Sequence, residues 1–289
     1  MKYLFLLLIP VFLLSCQREV DEELPQQTQQ ELLREIIYLD TTRPVGLDTV
    51  DKTTLTYDAQ NRLTQMLLLD PFDGFTVLTE FFYRGSSKEP YLQVETSRED
   101  DDLEIDSTFY TYSNNLVSAD SSVLWSKVPP GRPNLELRYR VANDYVINGN
   151  KVNVSRRTYT YDWGNSTPLD LEEIEMSFTV LQSSGMIHEE RCDESGGIVF
   201  SDYYKAVFTG AKNPLKDLLP VYPVHLADDN DGVLGKFEHY WSSEQFGSGP
   251  DPYIITYRSQ NRADGLPLYI WQEDNWSPTI FYKIAFIYR

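Results

Sequence analysis

One run of oxygen ligands that invites a metal reading is Asp228-Asp229-Asn230-Asp231-Gly232. Calcium is held by carboxylates and carbonyls arranged around a sharp turn. With Gly232 at the turn position of an EF-hand loop, Asp229 and Asp231 fall on its third and fifth positions and Glu238 on its last. The first ligand position is Ala227, where the loop needs a carboxylate, and the flanks read as strands rather than helices. The expectation is therefore an irregular metal site from Asp229, Asp231 and Glu238, or a plain polar turn. Glu99-Asp100-Asp101-Asp102 reads as a solvated hairpin tip. His188, His225 and His239 share no zinc-ligand spacing, and His239-Tyr240-Trp241 reads as a structural histidine on an aromatic strand. Phe246-Gly247-Ser248-Gly249-Pro250 lacks the pattern of a serine nucleophile elbow. With 44 Asp and Glu residues some carboxylates must lie close together, so a glycosidase acid–base pair would leave no signature. No motif calls for a cofactor.

Tryptophan is more informative. Trp241, Trp271 and Trp276 crowd toward the C-terminus, and Gln272-Glu273-Asp274-Asn275 lies between two of them. Flat indole faces beside carboxylates such as Glu273 and Asp274 can stack and hydrogen-bond a sugar. The alternative is that these rings simply pack a sheet, as large aromatics do.

The N-terminus carries an address. Lys2 precedes an apolar run from Leu4 to Leu14, then Ser15-Cys16. A charge, a short apolar core and a small residue before the cut make a secretory signal over residues 1–15, too short to span a bilayer as a helix. Leu13-Leu14-Ser15-Cys16 resembles the bacterial lipobox, which implies cleavage before Cys16 and acylation of its thiol. The membrane is then a partner through that lipid alone. Gln17 follows the cysteine and acidic residues come soon after, which resembles outer-membrane sorting and the surface-export signal of Bacteroidetes-type lipoproteins. Residues 16–31 read as a polar, flexible tether.

Cleavage removes only Lys2 from the charge count, taking the formal charge from −19 to −20. So acidic a chain repels nucleic acid, which is not expected as a partner. Once Cys16 is acylated Cys192 stands alone, so stability must come from a core rather than a disulfide. Cys192 reads as a small packed residue.

The rest, residues 32–289, reads as strand after strand in one domain. Leu135, Leu137, Tyr139 and Val141 alternate with polar residues, and Val77, Thr79, Phe81 and Tyr83 do the same, placing each set on one face. Twenty Tyr and fourteen Phe suit a pleated, half-buried surface. The spacing predicts about fourteen to sixteen strands, and a sheet that large must curl, close or split. Prolines at 214 and 220 interrupt the series, so residues 213–222 could hold a short helical turn or a seam.

Turns recur with one flavour. Tyr57-Asp58-Ala59-Gln60-Asn61-Arg62-Leu63 is the sharpest, and Tyr112 to Leu116, Tyr161 to Asn165 and Tyr257 to Asn261 echo it; Asn148-Gly149 adds a hairpin signal. These residues resemble the YD (RHS-type) repeats, and more closely the Bacteroidetes-type lipoproteins of unknown function built from such hairpins. The resemblance implies an all-β, long antiparallel meander forming a strongly curved, half-barrel or porin-like sheet, and supplies no catalytic residue. The functional expectation is a non-enzymatic, lipid-anchored outer-membrane or cell-surface protein that binds a glycan or scaffolds another envelope protein. A carbohydrate hydrolase and a carrier of lipid or lipoprotein acyl chains are the alternatives.

Overall fold

The computed structural model describes residues 31–40, 49–127, 134–162, 164–183, 186–192, 203–207, 210–223, 239–240, 242–246, 251–275 and 282–289. Among them there is no helix. The strands are β1 (Leu33–Asp40), β2 (Thr49–Tyr57), β3 (Leu63–Leu69), β4 (Thr76–Tyr83), β5 (Pro90–Glu99) and β6 (Asp102–Ser113). Then come β7 (Leu116–Lys127), β8 (Glu136–Asn148), β9 (Lys151–Tyr161), β10 (Pro168–Ser183) and β11 (Met186–Cys192). The series ends with β12 (Tyr203–Val207), β13 (Ser243–Phe246), β14 (Tyr253–Asn261), β15 (Pro267–Asp274) and β16 (Tyr282–Tyr288).

Each strand pairs antiparallel with its neighbours in sequence, and β1 pairs with β16 through Ile36↔Phe286, Ile37↔Ala285 and Tyr38↔Ile284. The sheet therefore closes into a barrel and leaves no edge. The long, strongly curved, porin-like antiparallel meander expected from the sequence is what is found, with β1 and β16 closing it. An open sheet of this length would expose two rows of unpaired backbone groups, and pairing β1 with β16 removes both. Leu33–Arg289 is one compact unit.

Alternation sends Ile36, Leu55, Phe81, Ile270, Ile284 and Phe286 inward, where they form an apolar core with Leu33 and Leu63. A second core joins Val117, Tyr145, Val152, Val154, Met176 and Phe178 on β7–β10. Residues 210–223, between β12 and β13, run into the barrel. Leu215 is buried in the first core with Leu218 and Leu219 against it, Val221 O accepts from Val117 N at 2.9 Å, and Tyr222 packs edge-on against Tyr110 and Tyr145. Pro214 and Pro220 thus bracket a sequence of tight turns that plugs one end of the barrel, with Leu215 N donating to Asn213 Oδ1 at 2.9 Å. Where the sequence allowed a short helical turn, the chain makes two i,i+3 turns, Lys216 N donating to Asn213 O at 3.4 Å and Leu218 N to Leu215 O at 3.1 Å.

The face reading holds for Val77, Thr79, Phe81 and Tyr83: Phe81 and Thr79 are buried, and Tyr83 packs on the core. It fails on β8. A register shift between Leu124 and Trp125 pairs Leu137 with Trp125 but Tyr139 with Leu124. The extra residue sends Leu137 outward and Tyr139 and Val141 inward, so the four residues do not share a face.

The tyrosine turns have a physical basis. At the plugged end, register shifts precede Tyr57, Tyr83 and Tyr112. Tyr57 donates to Leu33 O at 2.8 Å, Tyr83 to Leu63 O at 2.7 Å, and Tyr288 to Pro267 O at 3.0 Å. Each phenol thus closes its own strand onto the start of the preceding one. The Asp58 turn is tied to this row. Asp58 Oδ1 accepts from the backbone N–H of Gln60 and Arg62, and Oδ2 from Arg62 Nε at 2.7 Å. What burial Asp58 has works against ionisation, but the hydrogen bonds and positive charge of Arg62 outweigh it and hold the carboxyl below its ordinary range. Arg62 also lies 4.5 Å from the Tyr83 ring centroid and donates to Gly85 O and Ser87 O in the next hairpin loop. Arg262 over Tyr288, at 4.9 Å, repeats the motif across β14–β16. Arg62→Ala should therefore cost about 2 kcal/mol in urea unfolding, from lost charge-assisted bonds and cation–π contact. A loss below about 0.5 kcal/mol would show that the turn does not depend on it.

Candidate functional site

The inward positions of β5–β9 are unlike those of the core. Gln93 and Glu95 on β5, Glu104, Asp106 and Thr108 on β6, and Arg156, Thr158 and Thr160 on β9 face a cleft of about 680 Å³ inside the barrel. Strand direction places Glu104, Arg138 and Thr160 toward the end opposite the plug, while Tyr110 and the plug's Tyr222 lie at the deep end. The long strands β6–β10 supply the depth, and their alternation brings polar side chains into a common lumen.

The floor is held by a chain of hydrogen bonds across three strands. Asp120 on β7 is buried and accepts from Asn143 Nδ2 at 2.9 Å and from Tyr145 OH at 2.8 Å, both on β8. Asn143 Oδ1 in turn accepts from Arg156 Nε on β9 at 2.9 Å. Tyr110 donates to Gln93 Oε1 at 2.9 Å, and Thr108 and Ser122 hydroxyls lie 2.8 Å apart. Burial raises the Tyr110 phenol well above its ordinary value, and neighbouring Tyr222 adds to this, so it stays a neutral donor. Four carboxylates line the cleft (Glu95, Glu104, Asp106 and Asp120) against two guanidiniums, Arg138 and Arg156. Such a site offers many directional donors and acceptors held in fixed positions, with a modest excess of negative charge. It suits a neutral, hydroxyl-rich solute better than an acyl chain or an anion.

The residues singled out in the sequence lie elsewhere. Trp271 pairs with Lys283 on β16 and Arg258 on β14, and alternation from buried Ile270 puts it on the outer wall. Lys283 Nζ stands 3.7 Å from the Tyr269 ring centroid and 5.7 Å from that of Trp271, and Arg258 pairs with Glu273 at 3.1 Å. Trp271 and Glu273 are thus together on the outside of the barrel, away from the cleft. Asp274 ends β15, and its side chain is not among those described. Trp241, Trp276, Asp229, Asp231, Glu238, His225 and Cys16 fall outside the described residues. Among the described residues no group of three His, Cys, Asp or Glu is placed to hold a metal. His239 forms an isolated antiparallel bridge with Lys212, and its Nδ1 lies 3.2 Å from Gly210 O.

Sequence reasoning did not find the cleft. Its signal was present in Glu104, Asp106 and Thr108 alternating with Leu103, Ile105 and Phe109, a pattern that ordinarily puts polar side chains outward. Here Phe109 is 48% exposed while Thr108 and Asp106 face the lumen.

No protein-family model matches the chain, and no curated protein matches it. Among solved structures, a porin-like protein from Bacteroides uniformis aligns with a TM-score of 0.47 at 13% identity, over 89% of this chain and 96% of that one.

Proposed function

We propose that this chain is a non-enzymatic, lipid-anchored protein of the bacterial outer membrane that takes a neutral, hydroxyl-rich ligand of the glycan class into the barrel cleft. The observation that carries the reading is the floor, where Asp120, Asn143, Tyr145 and Arg156 are fixed by hydrogen bonds before any ligand arrives. Preorganised polar groups lose little freedom on binding and select for hydroxyls that match them.

The outer wall supports a barrel that stands in water on its tether. A membrane-spanning barrel carries an apolar band around its whole circumference. On β8–β16 the outward positions include Arg140, Asp144, Arg157, Arg258, Glu273 and Lys283, and the first four of these are exposed. Placing those charges in hydrocarbon would carry a large desolvation cost. The outward face also exposes apolar side chains: Leu67, Leu69, Phe82, Phe109 and Trp125 on β3–β7, Val146 on β8, Leu169 and Leu171 on β10, and Ile287 on β16. Those exposed apolar residues favour a second reading, a scaffold that docks another envelope protein on the outer wall.

The test is calorimetry of the mature chain against a panel of soluble oligosaccharides, with the same glycans assayed for cleavage. At least one should bind, and Glu104→Ala with Thr158→Val should weaken it by tenfold or more without lowering the melting temperature. Cleavage of a bound glycan would favour the hydrolase alternative, with its acid–base pair among the four cleft carboxylates. Failure of every glycan to bind would remove the proposal and leave the scaffold reading.

A further inference from the structure

The two ends of the barrel differ in charge. β1 starts and β16 finishes at the plugged end, where Leu33 pairs with Tyr288, and the turns after β2, β4, β8 and β14 lie there too. Exposed bases gather at this end: Arg34, Arg84, Lys88, Lys151 and Lys212. Among the described residues its exposed acids are Glu31, Asp217 and Asp264, and the last two stand beside Lys216 and Arg262 at 3.9 and 3.3 Å. The open end is the reverse. Asp73, Glu99, Asp100, Asp101, Asp162 and Asp170 are exposed on its loops and strand ends, against Arg98.

The β8–β9 tip adds apolar surface to the basic end. Val146 and Ile147 are consecutive, so the pleat sends them to opposite faces, yet they are 54% and 47% exposed. Every residue from Val146 to Lys151 is exposed, so this tip stands clear of the wall. Phe82 and Ile287 are exposed near the same end of β4 and β16. Apolar side chains with Lys and Arg beside them make a face suited to a lipid–water boundary.

We propose that the plugged end rests on the anionic phospholipid headgroups of the membrane that holds the acyl chains, with Val146 and Ile147 at the acyl boundary and the cleft opening away from it. The inference rests on the lipid-anchor reading for which membrane is meant, and two observations carry it. A chain held at Cys16 enters the barrel at Leu33, on the basic end, and charge complementarity turns that end toward phosphate. The acidic open end does not cancel this attraction. β8 has 13 residues, about 40 Å of strand and about 30 Å of height at the tilt of a barrel. Salt screens charges over about 8 Å, so the two ends act separately.

The test is co-sedimentation of the mature chain carrying Cys16→Ala, which has no lipid, with vesicles of phosphatidylcholine alone or with phosphatidylglycerol added. At about 0.1 M salt it should pellet with the anionic vesicles and not with the neutral ones, and high salt should release it. Lys88→Glu with Lys151→Glu should weaken binding by tenfold or more, and Val146→Ser with Ile147→Ser by at least threefold. Both should leave the melting temperature unchanged, because these side chains are exposed. Asp73→Lys with Asp101→Lys, at the open end, should change binding less than twofold. No sedimentation with anionic vesicles, equal sedimentation with both kinds, no loss in Lys88→Glu with Lys151→Glu, or a tenfold gain from the open-end pair would overturn the proposal. So would a tenfold gain in Glu22→Gln with Glu23→Gln, which would mean that carboxylates of the tether cover the bases. Failure of the anchor reading is separate, since it is read by fractionation of Cys16→Ala at high salt, where this face is screened.

Discussion

Cys16→Ala in the precursor is expected to move the protein from the membrane pellet to the soluble fraction. The described residues contain no helix long and apolar enough to cross a membrane, and the barrel wall offers charged positions along β8–β16 where a spanning barrel would be apolar. On the proposed lipid anchor, acyl chains would contribute about 0.8 kcal/mol for each buried methylene, so removing them would abolish nearly all of the membrane affinity. The apolar outward residues of the wall could at most give a weak residual association. Fractionation at high salt, with the wild-type protein alongside, measures the effect. A variant that stays wholly in the pellet would mean that the barrel itself inserts and that the anchor reading is wrong.

Asp120→Ala is expected to be the most damaging single change in the cleft, at about 3–5 kcal/mol by urea unfolding. It removes the acceptor for both Asn143 Nδ2 and Tyr145 OH and leaves these donors buried between β7 and β8. Asp120→Asn keeps one carbonyl acceptor and should cost about half as much. The same variants separate stability from binding, because Thr158→Val should leave stability nearly unchanged. A loss below about 1 kcal/mol for Asp120→Ala would show that the floor network relaxes freely and is not preorganised.

Much of this architecture was legible in the residues, and the reasons differ from element to element. The alternation of Val77 to Tyr83 and the turn chemistry of Tyr57 to Leu63 are local, and both appear in the structure as read. Asn148-Gly149 marked the β8–β9 hairpin, although its two loop residues are Gly149 and Asn150, with Gly149 at φ 65°. Closure was not legible, because β1 and β16 meet from opposite ends of the chain and no local pattern encodes that pairing. Nor was the bulge at Leu137, where one extra residue reverses the faces of everything after it. The cleft escaped for a related reason. Period-two alternation sorts side chains into two faces but does not say which face is the lumen. On β6 the polar set turned inward, so residues that looked solvated line the site, while Trp271, which looked like a sugar platform, lies on the outer wall.

Hydroxyl-radical footprinting of the mature chain, with and without the glycan that binds it best, tests the central claim most directly. Ligand in the cleft should protect Tyr110, Tyr139 and Tyr222, which line it, and leave Tyr269 and Trp271 oxidised as before. Protection of Trp271 and Tyr269 with none at the cleft tyrosines would place the ligand on the outer wall and contradict the account.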